Sequence, residues 1–335
     1  MKIIVDGYGG DNAPSSVVEG TINALNSDST LNVMLVGDKG ALEAMLKTKQ
    51  YDSARLEILD AKEVISNEES PTEAIRKKQD STIVKGLRQL NTDAEAQAFV
   101  SAGSSGAVLT GAVLLLKRIK GINRPALSPV LPTVSGGQTI LVDCGANPDC
   151  KPMNMHQFAR MGAAYAKAEL NVDNAKIGLL SNGTEDKKGN ELTKAAFQLL
   201  KEDELLNFKG NMEARELLSG TYDVIVADGF NGNICLKACE GTAMSMFEII
   251  TNNIYGGGLR AKLGYLLLKP VFKNVKGIMD YNKKGGAVLL GLNKIVVKAH
   301  GSSKAESITA SILQAKRLVE KGLVAKITEA MSTDA

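Results

Sequence analysis

The sequence predicts an α/β fold, a three-layer α/β/α sandwich in which helices cover both faces of a mainly parallel sheet. Short apolar runs, such as residues 224–227, recur along the 335-residue chain, each followed by a polar turn and then by apolar residues at helical spacing. Strands that alternate with helices favour parallel pairing. We expect one domain over residues 1–335, because no segment rich in Gly, Ser or Pro divides the chain.

The strands and helices follow in chain order from these periodicities. Buried strands are expected at residues 1–6, 31–36, 55–59, 98–101, 140–143, 176–180, 224–227 and 294–298. Helices are expected at residues 17–25, 41–46, 112–120, 153–170, 192–200 and 307–319, with a further helix starting after residue 233. Residues 68–73 begin a charged helical segment, which we assign to the solvent-exposed surface.

Composition limits the classes of function. A chain with 44% hydrophobic and 23% charged residues is typical of a soluble globular protein. A net charge of +3, no tryptophan and few other aromatic residues give no support for nucleic-acid binding. No signal peptide pattern and no apolar run of about 18 residues occur, so we expect a cytoplasmic protein that at most lies on a membrane surface. The four cysteines form no Cys-x-x-Cys pair, which favours reduced cysteines over zinc ligands.

The polar turns after the strands contain candidate ligand-binding residues. The carboxyl ends of parallel strands meet at one edge of a sheet, where backbone N–H groups and helix N-termini bind anions. The turn with Gly9, Gly10 and Asp11 allows the backbone to approach a ligand closely, and later turns present Ser104 and Asn147. Neither a dinucleotide fingerprint nor a Gly-x-x-x-x-Gly-Lys-Ser/Thr phosphate loop is present. Tight strand-to-helix packing needs the same small residues, so both interpretations stay open.

Three further turns carry charged or amide side chains. Lys188 and Asn190 precede a helix, where the positive end of the helix dipole disfavours a cation unless an anion is bound. Residues 231–233, Asn-Gly-Asn, form a glycine-containing loop before the next helix. His300 follows a strand beside a hydroxyl-rich turn, which makes it a better active-site candidate than His156, which lies within a helical pattern.

Residues 256–284 depart from the strand and helix alternation. Apolar residues recur at helical spacing between residues 259 and 279, with lysines and one arginine between them. We expect Pro270 to divide this segment into the two arms of an inserted amphipathic helical hairpin, hinged by the glycines on either side. Such a hairpin suits a dimer interface, a membrane surface or an acidic protein partner. The alternative is an ordinary helix packed on the core.

Taken together, these motifs resemble those of bacterial phosphate acyltransferases over nearly the whole chain. They are Gly-Gly-Asp at 9–11, Gly-Ala-Asn at 145–147, Lys-Gly-Asn at 188–190, Asp-Gly-Phe-Asn-Gly-Asn at 228–233 with Leu-Lys at 236–237 and Glu-Gly at 240–241, and His-Gly-Ser-Ser at 300–303. Tyr8 departs from the pattern, because the family usually carries methionine at that position.

The resemblance implies an enzyme of phospholipid synthesis that moves a long fatty acyl chain from acyl carrier protein to inorganic phosphate and forms acyl phosphate. It also implies a homodimer and a fold related to that of phosphate acetyltransferases. It further implies peripheral association with the inner face of the cell membrane, where the downstream glycerol-3-phosphate acyltransferase acts. No metal, cofactor or nucleic acid is implied.

This reaction needs an anion-binding site, a fixed attack geometry and donors for an oxyanion, and it needs no strong base. The candidate catalytic residues are therefore Lys188, Asn231 and His300. Asn231 and Asn233 are assigned as oxyanion donors or orienting groups, and His300 protonates the leaving sulfur or holds phosphate. The candidate substrate-binding residues are Gly9, Gly10, Asp11, Ser104, Asn147, Asn190, Gly232, Asn233, Ser302 and Ser303; the phosphate cradle among them is Asn190, Ser302 and Ser303, together with Lys188.

Four alternatives remain at the level of sequence. One is a short-chain phosphate acetyl- or butyryltransferase that uses acyl-CoA. A second is a nicotinamide-dependent decarboxylating dehydrogenase, although neither its acidic metal-binding set nor a cofactor loop is apparent. A third is a non-catalytic regulator that dimerises through the basic hairpin on a membrane surface. The fourth is mechanistic, a covalent acyl intermediate on Cys144, which follows a strand.

Overall fold

The computed structural model of the chain describes residues 1–279 and 285–332. Its strands are β1 Lys2–Asp6, β2 Asn32–Gly37, β3 Leu56–Asp60, β4 Ala96–Ser101, β5 Ala126–Ser128, β6 Val130–Pro132, β7 Gln138–Val142, β8 Lys176–Ser181, β9 Asn207–Glu213, β10 Val224–Val226, β11 Ala287–Leu290 and β12 Ile295–Lys298. Its helices are α1 Ser15–Ser27, α2 Lys39–Leu46, α3 Pro71–Lys77, α4 Thr82–Thr92, α5 Ser105–Leu116, α6 Pro152–Glu169, α7 Glu191–Glu202, α8 Gly229–Gly256, α9 Gly258–Met279, α10 Ala305–Glu320 and α11 Leu323–Ser332.

The strands form two sheets. The larger sheet has the order β3-β2-β1-β4-β12-β11-β5 and the smaller one β6-β7-β10-β8-β9. Pairing is parallel except around β11, which is antiparallel to both its neighbours, and between β6 and β7. The predicted α/β/α class and the mainly parallel pairing are confirmed, but the expected single sheet is replaced by two.

One continuous stretch of chain joins the two sheets. Strands β5 and β6 are separated only by Pro129, and β5 pairs with β11 of the larger sheet while β6 pairs with β7 of the smaller sheet. One apolar core also reaches across both sheets, since it includes Val5 and Val297 from the first and Val142 and Val226 from the second. The carboxyl ends of β12 and β7 are thereby brought to the same region.

Side chains along the buried strands point alternately to the two faces of the larger sheet, and helices cover both faces. In β1, Ile3 and Val5 belong to the core that packs under α1 and α10, whereas Ile4 belongs to a second core under α4 and α5. All five residues of β1 are buried. A strand covered on both faces reads as a continuous apolar run, which is why the sequence predicts it well.

Most predicted elements are present, and the differences have local causes. Every strand expected from the sequence is found, while the short strands β5, β6 and β11, and β9, were not expected. Helix α5 begins at Ser105, seven positions before the expected start at residue 112. It ends at Leu116, because the next residue, Lys117, has a φ of +63°, which cannot continue a helix. The small residues Ser105, Gly106 and Ala107 form its first turn.

The helical hairpin differs from the prediction. Helix α8 runs to Gly256 and α9 begins at Gly258, so the turn lies between these two helices, and α9 continues through Pro270. Division of the segment into two arms at Pro270 is therefore wrong. Residues 280–284 of the expected hairpin lie outside the described residues. Tyr265 contacts Tyr255 with a ring separation of 6.3 Å and thereby joins α9 to α8.

The outer parts of α8 and α9 expose large apolar side chains. On α9 the residues Leu263, Leu266 and Leu267, here called the α9 leucine face, are 54%, 65% and 82% exposed. Along the part of the chain that the structure describes, no helix is both long and apolar enough to cross a bilayer. The hairpin therefore presents an apolar surface without a partner inside the described chain.

Candidate active site

Loops from both sheets enclose a cavity of about 140 Å³. The larger sheet contributes Lys298 and His300, which end β12, and Ser105 at the start of α5. The smaller sheet contributes Cys144 after β7 and one face of α8. The α8 residues that line the cavity are Asn233, Leu236, Lys237 and Glu240. The cavity lies where carboxyl ends of parallel strands meet, the usual position of ligand sites in α/β proteins.

Glycines bring the loops after β1, β4 and β12 into contact. The N–H of Asp11 donates to the carbonyl of Gly301 at 2.8 Å. Gly10 has a φ of +95°, and a Cβ atom there would lie 2.8 Å from that same carbonyl oxygen. A Cβ atom on Gly9 would lie 2.6 Å from the N of Gly103. These two glycines fix the backbone beside the cavity, and the described cavity lining does not include them.

Lys298 is a buried cation at the end of β12, only 8% exposed. Its Nζ donates to the carbonyl of Ala102 at 3.3 Å and also to the carbonyl of Ala299. Burial lowers the pKa of Lys298 from 10.5 to about 8, although the carboxylates of Asp6 and Asp11 act in the opposite direction. A charge that burial disfavours is stabilised when an anion binds beside it. Lys298 is therefore suited to hold an anionic ligand in the cavity.

His300 is held in one tautomer by the turn that follows it. Its Nδ1 accepts the backbone N–H of Ser302 at 3.2 Å and lies 2.8 Å from Ser302 Oγ. Because Nδ1 is an acceptor, the neutral ring carries its proton on Nε2. Partial burial, and next the positive charge of Lys237, lower the pKa of His300, so the ring is neutral at pH 7. It can donate its Nε2 proton to an anion without itself bearing charge.

The hydroxyl-rich turn after His300 is tied to the first loop. Asn12 Nδ2 donates to the carbonyls of Ser302 and Ser303 at 3.1 and 3.2 Å. Ser303 is buried, and within the described chain its Oγ has no hydrogen-bond partner. A buried hydroxyl without a partner is unfavourable unless a ligand or water completes it. The structure thus places Asp11, Ser302 and Ser303 beside His300, but of these four residues only His300 belongs to the described cavity lining.

On the other side of the cavity, the buried Asp143 carboxylate orders the loop after β7. Its Oδ1 accepts the N–H groups of Leu127 and Ala146, and its Oδ2 accepts both the backbone N–H and the side-chain Nδ2 of Asn147. Asn147 Nδ2 also donates to the carbonyl of Pro125 at 2.7 Å. The side-chain amide of Asn147 therefore donates both its hydrogen bonds within the protein, and Asn147 stabilises the loop in this arrangement.

The motif at residues 228–233 is the start of α8 and not a loop. Asp228 is the N-cap, and its Oδ1 accepts the N–H groups of Phe230 and Asn231. Asn231 Nδ2 donates to Asp228 Oδ2 at 2.7 Å, so this side chain is directed to its own helix terminus. A Cβ atom on Gly232 would lie 2.0 Å from the carbonyl oxygen of Asp143. Gly232 thus allows the helix to pack directly on the end of β7.

Asn233 is the amide of this motif that lines the cavity. Among the described residues its side chain makes no hydrogen bond, so both its donor and its acceptor are available to a ligand. Lys237, one helical turn further along α8, also lines the cavity and pairs with Glu240 at 2.8 Å. The wall formed by α8 therefore offers one amide and one cation whose charge is partly balanced.

At the start of α5 the functional position shifts by one residue. Ser104 is the N-cap, is buried, and its Oγ accepts the N–H of Ala107 at 3.5 Å. Its neighbour Ser105, in the first helical turn, lines the cavity. The hydroxyl that faces a ligand is thus that of Ser105, while Ser104 holds the helix terminus.

Lys188 and Asn190 lie in the loop after β8. Asn190 is the N-cap of α7 and its Oδ1 accepts the N–H of Thr193 at 2.9 Å. Both residues are exposed, and in the described part of the chain neither lines the cavity with His300. In the smaller sheet β8 lies two strands from β7, about 10 Å at about 4.8 Å per strand. They share the edge of the sheet with the cavity but not its lining.

The cavity lining contains no activated nucleophile. Cys144 is buried, and that burial raises the pKa of its thiol well above the usual value, so it remains protonated at neutral pH. Among residues 1–279 and 285–332, no cluster of His, Cys, Asp and Glu side chains is arranged to hold a metal ion. The polar groups that line the cavity are two lysines, a neutral imidazole, two side-chain amides, the hydroxyl of Ser105 and the carboxylate of Glu240. Because Glu240 pairs with Lys237, the cation of Lys298 and the neutral donors are the groups that suit an oxyanion.

Five polar residues of the cavity lining were not assigned to the site from the sequence: Ser105, Lys237, Glu240, Lys298 and Gln314. A signal was present for Lys298, because it is the one charged residue that ends the apolar run 295–298 and it directly precedes Ala-His. Lys237 and Glu240 stand one helical turn and two turns after Asn233, so they follow once the helix is known to start at Gly229. Nothing in the sequence distinguishes Ser105 from Ser104 as the serine that lines the cavity.

Comparison with known sequences gives matches over almost the whole chain. The sequence matches the family described as "Fatty acid synthesis protein" over residues 1–326. It is 46% identical over 329 residues to a phosphate acyltransferase of Clostridium perfringens, covering 98% of this chain and 96% of that protein. It is also 46% identical over 334 residues to a phosphate acyltransferase of Caldicellulosiruptor saccharolyticus, covering 100% of this chain and 99% of that protein.

Solved structures with the same fold are much more distant in sequence. A phosphotransacetylase from Streptococcus pyogenes superposes with a TM-score of 0.63 at 18% identity, covering 96% of this chain and 94% of that one. A branched-chain phosphotransacylase from Enterococcus faecalis superposes with a TM-score of 0.55 at 14% identity, covering 95% of this chain and 100% of that one. At this identity the likeness establishes the fold alone.

Proposed function

Because the chain belongs to the phosphate acyltransferase family, we propose that it transfers a long-chain fatty acyl group from acyl carrier protein to inorganic phosphate and forms acyl phosphate for phospholipid synthesis. A phosphate oxygen attacks the thioester carbonyl carbon, the C–S bond of the tetrahedral intermediate breaks, and the thiolate leaves and takes up a proton. Phosphate is an anion at neutral pH and the thiol, with a usual pKa of about 8.5, is a good leaving group. The reaction therefore depends on binding and orientation of the anion.

The observation that supports this proposal most is the set of groups that face the cavity. The ammonium of Lys298, the Nε2 proton of His300 and the amide of Asn233 approach one space from two sheets. Lys298 gains from a bound anion because burial disfavours its charge. In this proposal Lys298 and His300 hold phosphate, and Asn233 donates to the oxyanion of the tetrahedral intermediate.

Lys188 and Asn190 have a proposed role at the rim. A substrate larger than the cavity reaches the loop after β8, and an exposed lysine there attracts phosphate or stabilises the negative charge that develops in the reaction. Asn231 orients the start of α8 through Asp228, so we assign it to positioning, next to the donor Asn233. Ser302 and Ser303 provide hydroxyls, and Gly9 and Gly10 with Asp11 fix the loop that supports them.

The decisive assay is phosphate-dependent release of free thiol from palmitoyl-acyl carrier protein, with the acyl phosphate product detected by mass spectrometry. We expect release that saturates with phosphate and is faster than with acetyl-CoA. Faster turnover of acetyl-CoA or butyryl-CoA would favour the short-chain alternative. Thiol release that does not depend on phosphate would remove the proposal.

Lys188 can be tested against its neighbour. Lys188→Ala should lower kcat/KM for phosphate by about 100-fold if its cation acts on the reacting anion. Lys187→Ala is the matched control, because it removes the same charge from the same exposed loop. Equal activity of the two variants would show that Lys188 only contributes to the general surface charge.

Two structural proposals accompany the activity. We assign the protein to the cytoplasmic side of the cell membrane, with the α9 leucine face on the lipid surface, where the downstream glycerol-3-phosphate acyltransferase receives the poorly soluble product. We assign the exposed apolar residues of α8, such as Met244 and Met246, to contact with a second copy of the chain. Sedimentation of the wild type as a monomer at micromolar concentration would contradict the homodimer.

A further inference from the structure

A second cavity, of about 580 Å³, opens beside α5 and is lined by three arginines. Arg76 comes from α3, Arg118 from the segment after α5, and Arg124 from the loop before β5. Between them lies an apolar wall that includes Val113 and Leu114. We call this cavity the arginine pocket.

The arginine pocket carries positive charge that the protein does not balance. Its lining contains no Asp or Glu. Within the described residues none of the three guanidinium groups forms an ion pair, and only Arg118 has a hydrogen bond, to the carbonyl of Asn123. By contrast, Arg160 pairs with Asp203 and Arg317 with Glu169. Three arginines without carboxylate partners around one cavity are suited to a phosphate group.

A smaller cavity of about 60 Å³, here called the passage, lies between the arginine pocket and the candidate active site, because it shares lining residues with both. The passage shares Ser105, Leu127 and Lys298 with the active-site cavity, and it shares Leu109 and Ala146 with the arginine pocket. Its remaining walls are small or apolar, and they are Gly106, Val108, Gly145 and Leu289. The three cavities thus form a row from the arginines to Lys298, with small and apolar residues along its middle part.

We propose that the arginine pocket binds the phosphate of the phosphopantetheine arm of acyl carrier protein, and that the arm runs through the passage to place its thioester beside Lys298 and His300. This inference rests on the function proposed above. An arm with an anionic phosphate at one end and a thioester at the other matches the order of charged pocket, narrow apolar passage and anion-binding cavity. The acidic carrier protein then remains outside the arginine pocket.

Two donors that differ only in the phosphate test the proposal: palmitoyl-4′-phosphopantetheine and palmitoyl-pantetheine. The variant is Arg76→Gln/Arg124→Gln, which keeps the polar side chains and removes both charges. We expect its KM for palmitoyl-4′-phosphopantetheine and for palmitoyl-acyl carrier protein to rise at least tenfold. Its KM for palmitoyl-pantetheine and for inorganic phosphate should stay within twofold of the wild type.

The matched control is Arg88→Gln. Arg88 is exposed on α4, has no carboxylate partner in the described structure, bonds only to Gln79, and lies outside all three cavities. It should leave all four KM values unchanged, since it removes an arginine charge that lies outside the three cavities.

Other outcomes overturn the inference. An equal rise in the KM for the donors with and without the phosphate would mean that the arginines do not bind that phosphate. A rise for the carrier-protein donor alone would mean that they contact the protein surface and not the arm. A rise in the KM for inorganic phosphate would place the acceptor there.

The test remains separate from the proposed function. If the wild type shows no phosphate-dependent turnover with any donor, the proposed function fails. Titration calorimetry with 4′-phosphopantetheine then decides this inference alone, since the wild type should bind at least tenfold more tightly than Arg76→Gln/Arg124→Gln, and equal binding would refute it.

Discussion

Replacing Lys298 by methionine is expected to remove activity without destabilising the fold at pH 7. Methionine fills a similar volume along the buried strand end and carries no charge. If Lys298 were retained for stability, its removal would weaken the protein. If it is retained to hold phosphate, the same change makes the folded state more favourable and the reaction slower.

The stability effect follows from the pKa. Since each pKa unit corresponds to about 1.4 kcal/mol, the fall from 10.5 to about 8 means that the charged lysine disfavours the folded state by about 3 kcal/mol. Loss of its hydrogen bonds to the carbonyls of Ala102 and Ala299 offsets about 1 kcal/mol for each bond. The net gain for Lys298→Met at pH 7 is therefore about 1 kcal/mol.

The gain should depend on pH in one direction. Below pH 8 the lysine is protonated in both the folded and the unfolded chain, so its burial penalty is fully present in the wild type. From pH 8 to 10.5 the folded protein binds fewer protons than the unfolded chain, so the stability of the wild type rises relative to Lys298→Met. Urea denaturation of both proteins at pH 7 and pH 10 measures this difference.

The activity effect is measured as kcat/KM for phosphate with palmitoyl-acyl carrier protein as donor. We expect Lys298→Met to lose at least about 100-fold, the usual effect of removing one donor that stabilises developing charge. In the wild type kcat/KM for phosphate should fall above pH 8 as the lysine loses its proton, and this fall should be absent in the variant. Inorganic phosphate is already a dianion at that pH, so the fall belongs to the protein.

The control variant is Lys294→Met, which removes a lysine next to the opposite end of the same strand, where Nζ donates to the carbonyl of Ala96 at 2.9 Å. It should keep wild-type kinetics. The reasoning is refuted if Lys298→Met retains wild-type kcat/KM, or if it loses activity together with several kcal/mol of stability. The second result would identify Lys298 as a structural residue.

Three further predictions follow from the site and the hairpin. Asn233→Ala should lower kcat by about 100-fold with little change in stability. Asn231→Ala should mainly reduce the free energy of unfolding, by about 1 kcal/mol, through weaker capping of α8. Kinetics and urea denaturation measure both effects, and the reverse pattern would exchange the roles of the two residues. Cys144→Ala should retain acyl transfer because the protonated thiol is not a nucleophile, and a folded but inactive variant would instead favour a covalent acyl intermediate. Changing the α9 leucine face to aspartate should abolish co-sedimentation with vesicles that contain anionic lipid, and unchanged co-sedimentation would argue against a lipid contact.

The sequence predicts the frame of the site because the frame is built from buried strands. Runs such as residues 3–5 and 295–297 are apolar on both faces and end in polar turns, so their position at the sheet edge follows from pattern alone. His300, Ser302 and Ser303 are predicted in this way. Lys298 is not predicted, because a lysine at the end of a buried strand fits no site pattern in the sequence. Its role follows only from the cavity beside it in the structure.

The motif at residues 228–233 shows why side-chain roles are harder to predict than positions. The glycines and asparagines there suggest a loop, in which all the amides face one ligand. In the structure Asp228 caps a helix that begins at Gly229, so neighbouring positions point in different directions around the helix. Asn231 then bonds to its own N-cap, while Asn233 faces the cavity.

The two sheets explain why the cavity contains groups that the sequence does not associate. Strands β5 and β6 are only three residues long, too short to show periodicity, yet together with Pro129 they turn the chain from one sheet into the other. This turn sets the end of β12 against the start of α8. The cation of Lys298 therefore belongs to one sheet and the amide of Asn233 to the other. The distance between these two groups therefore depends on how β5 and β6 join the sheets, because strand pairing within either sheet does not set it.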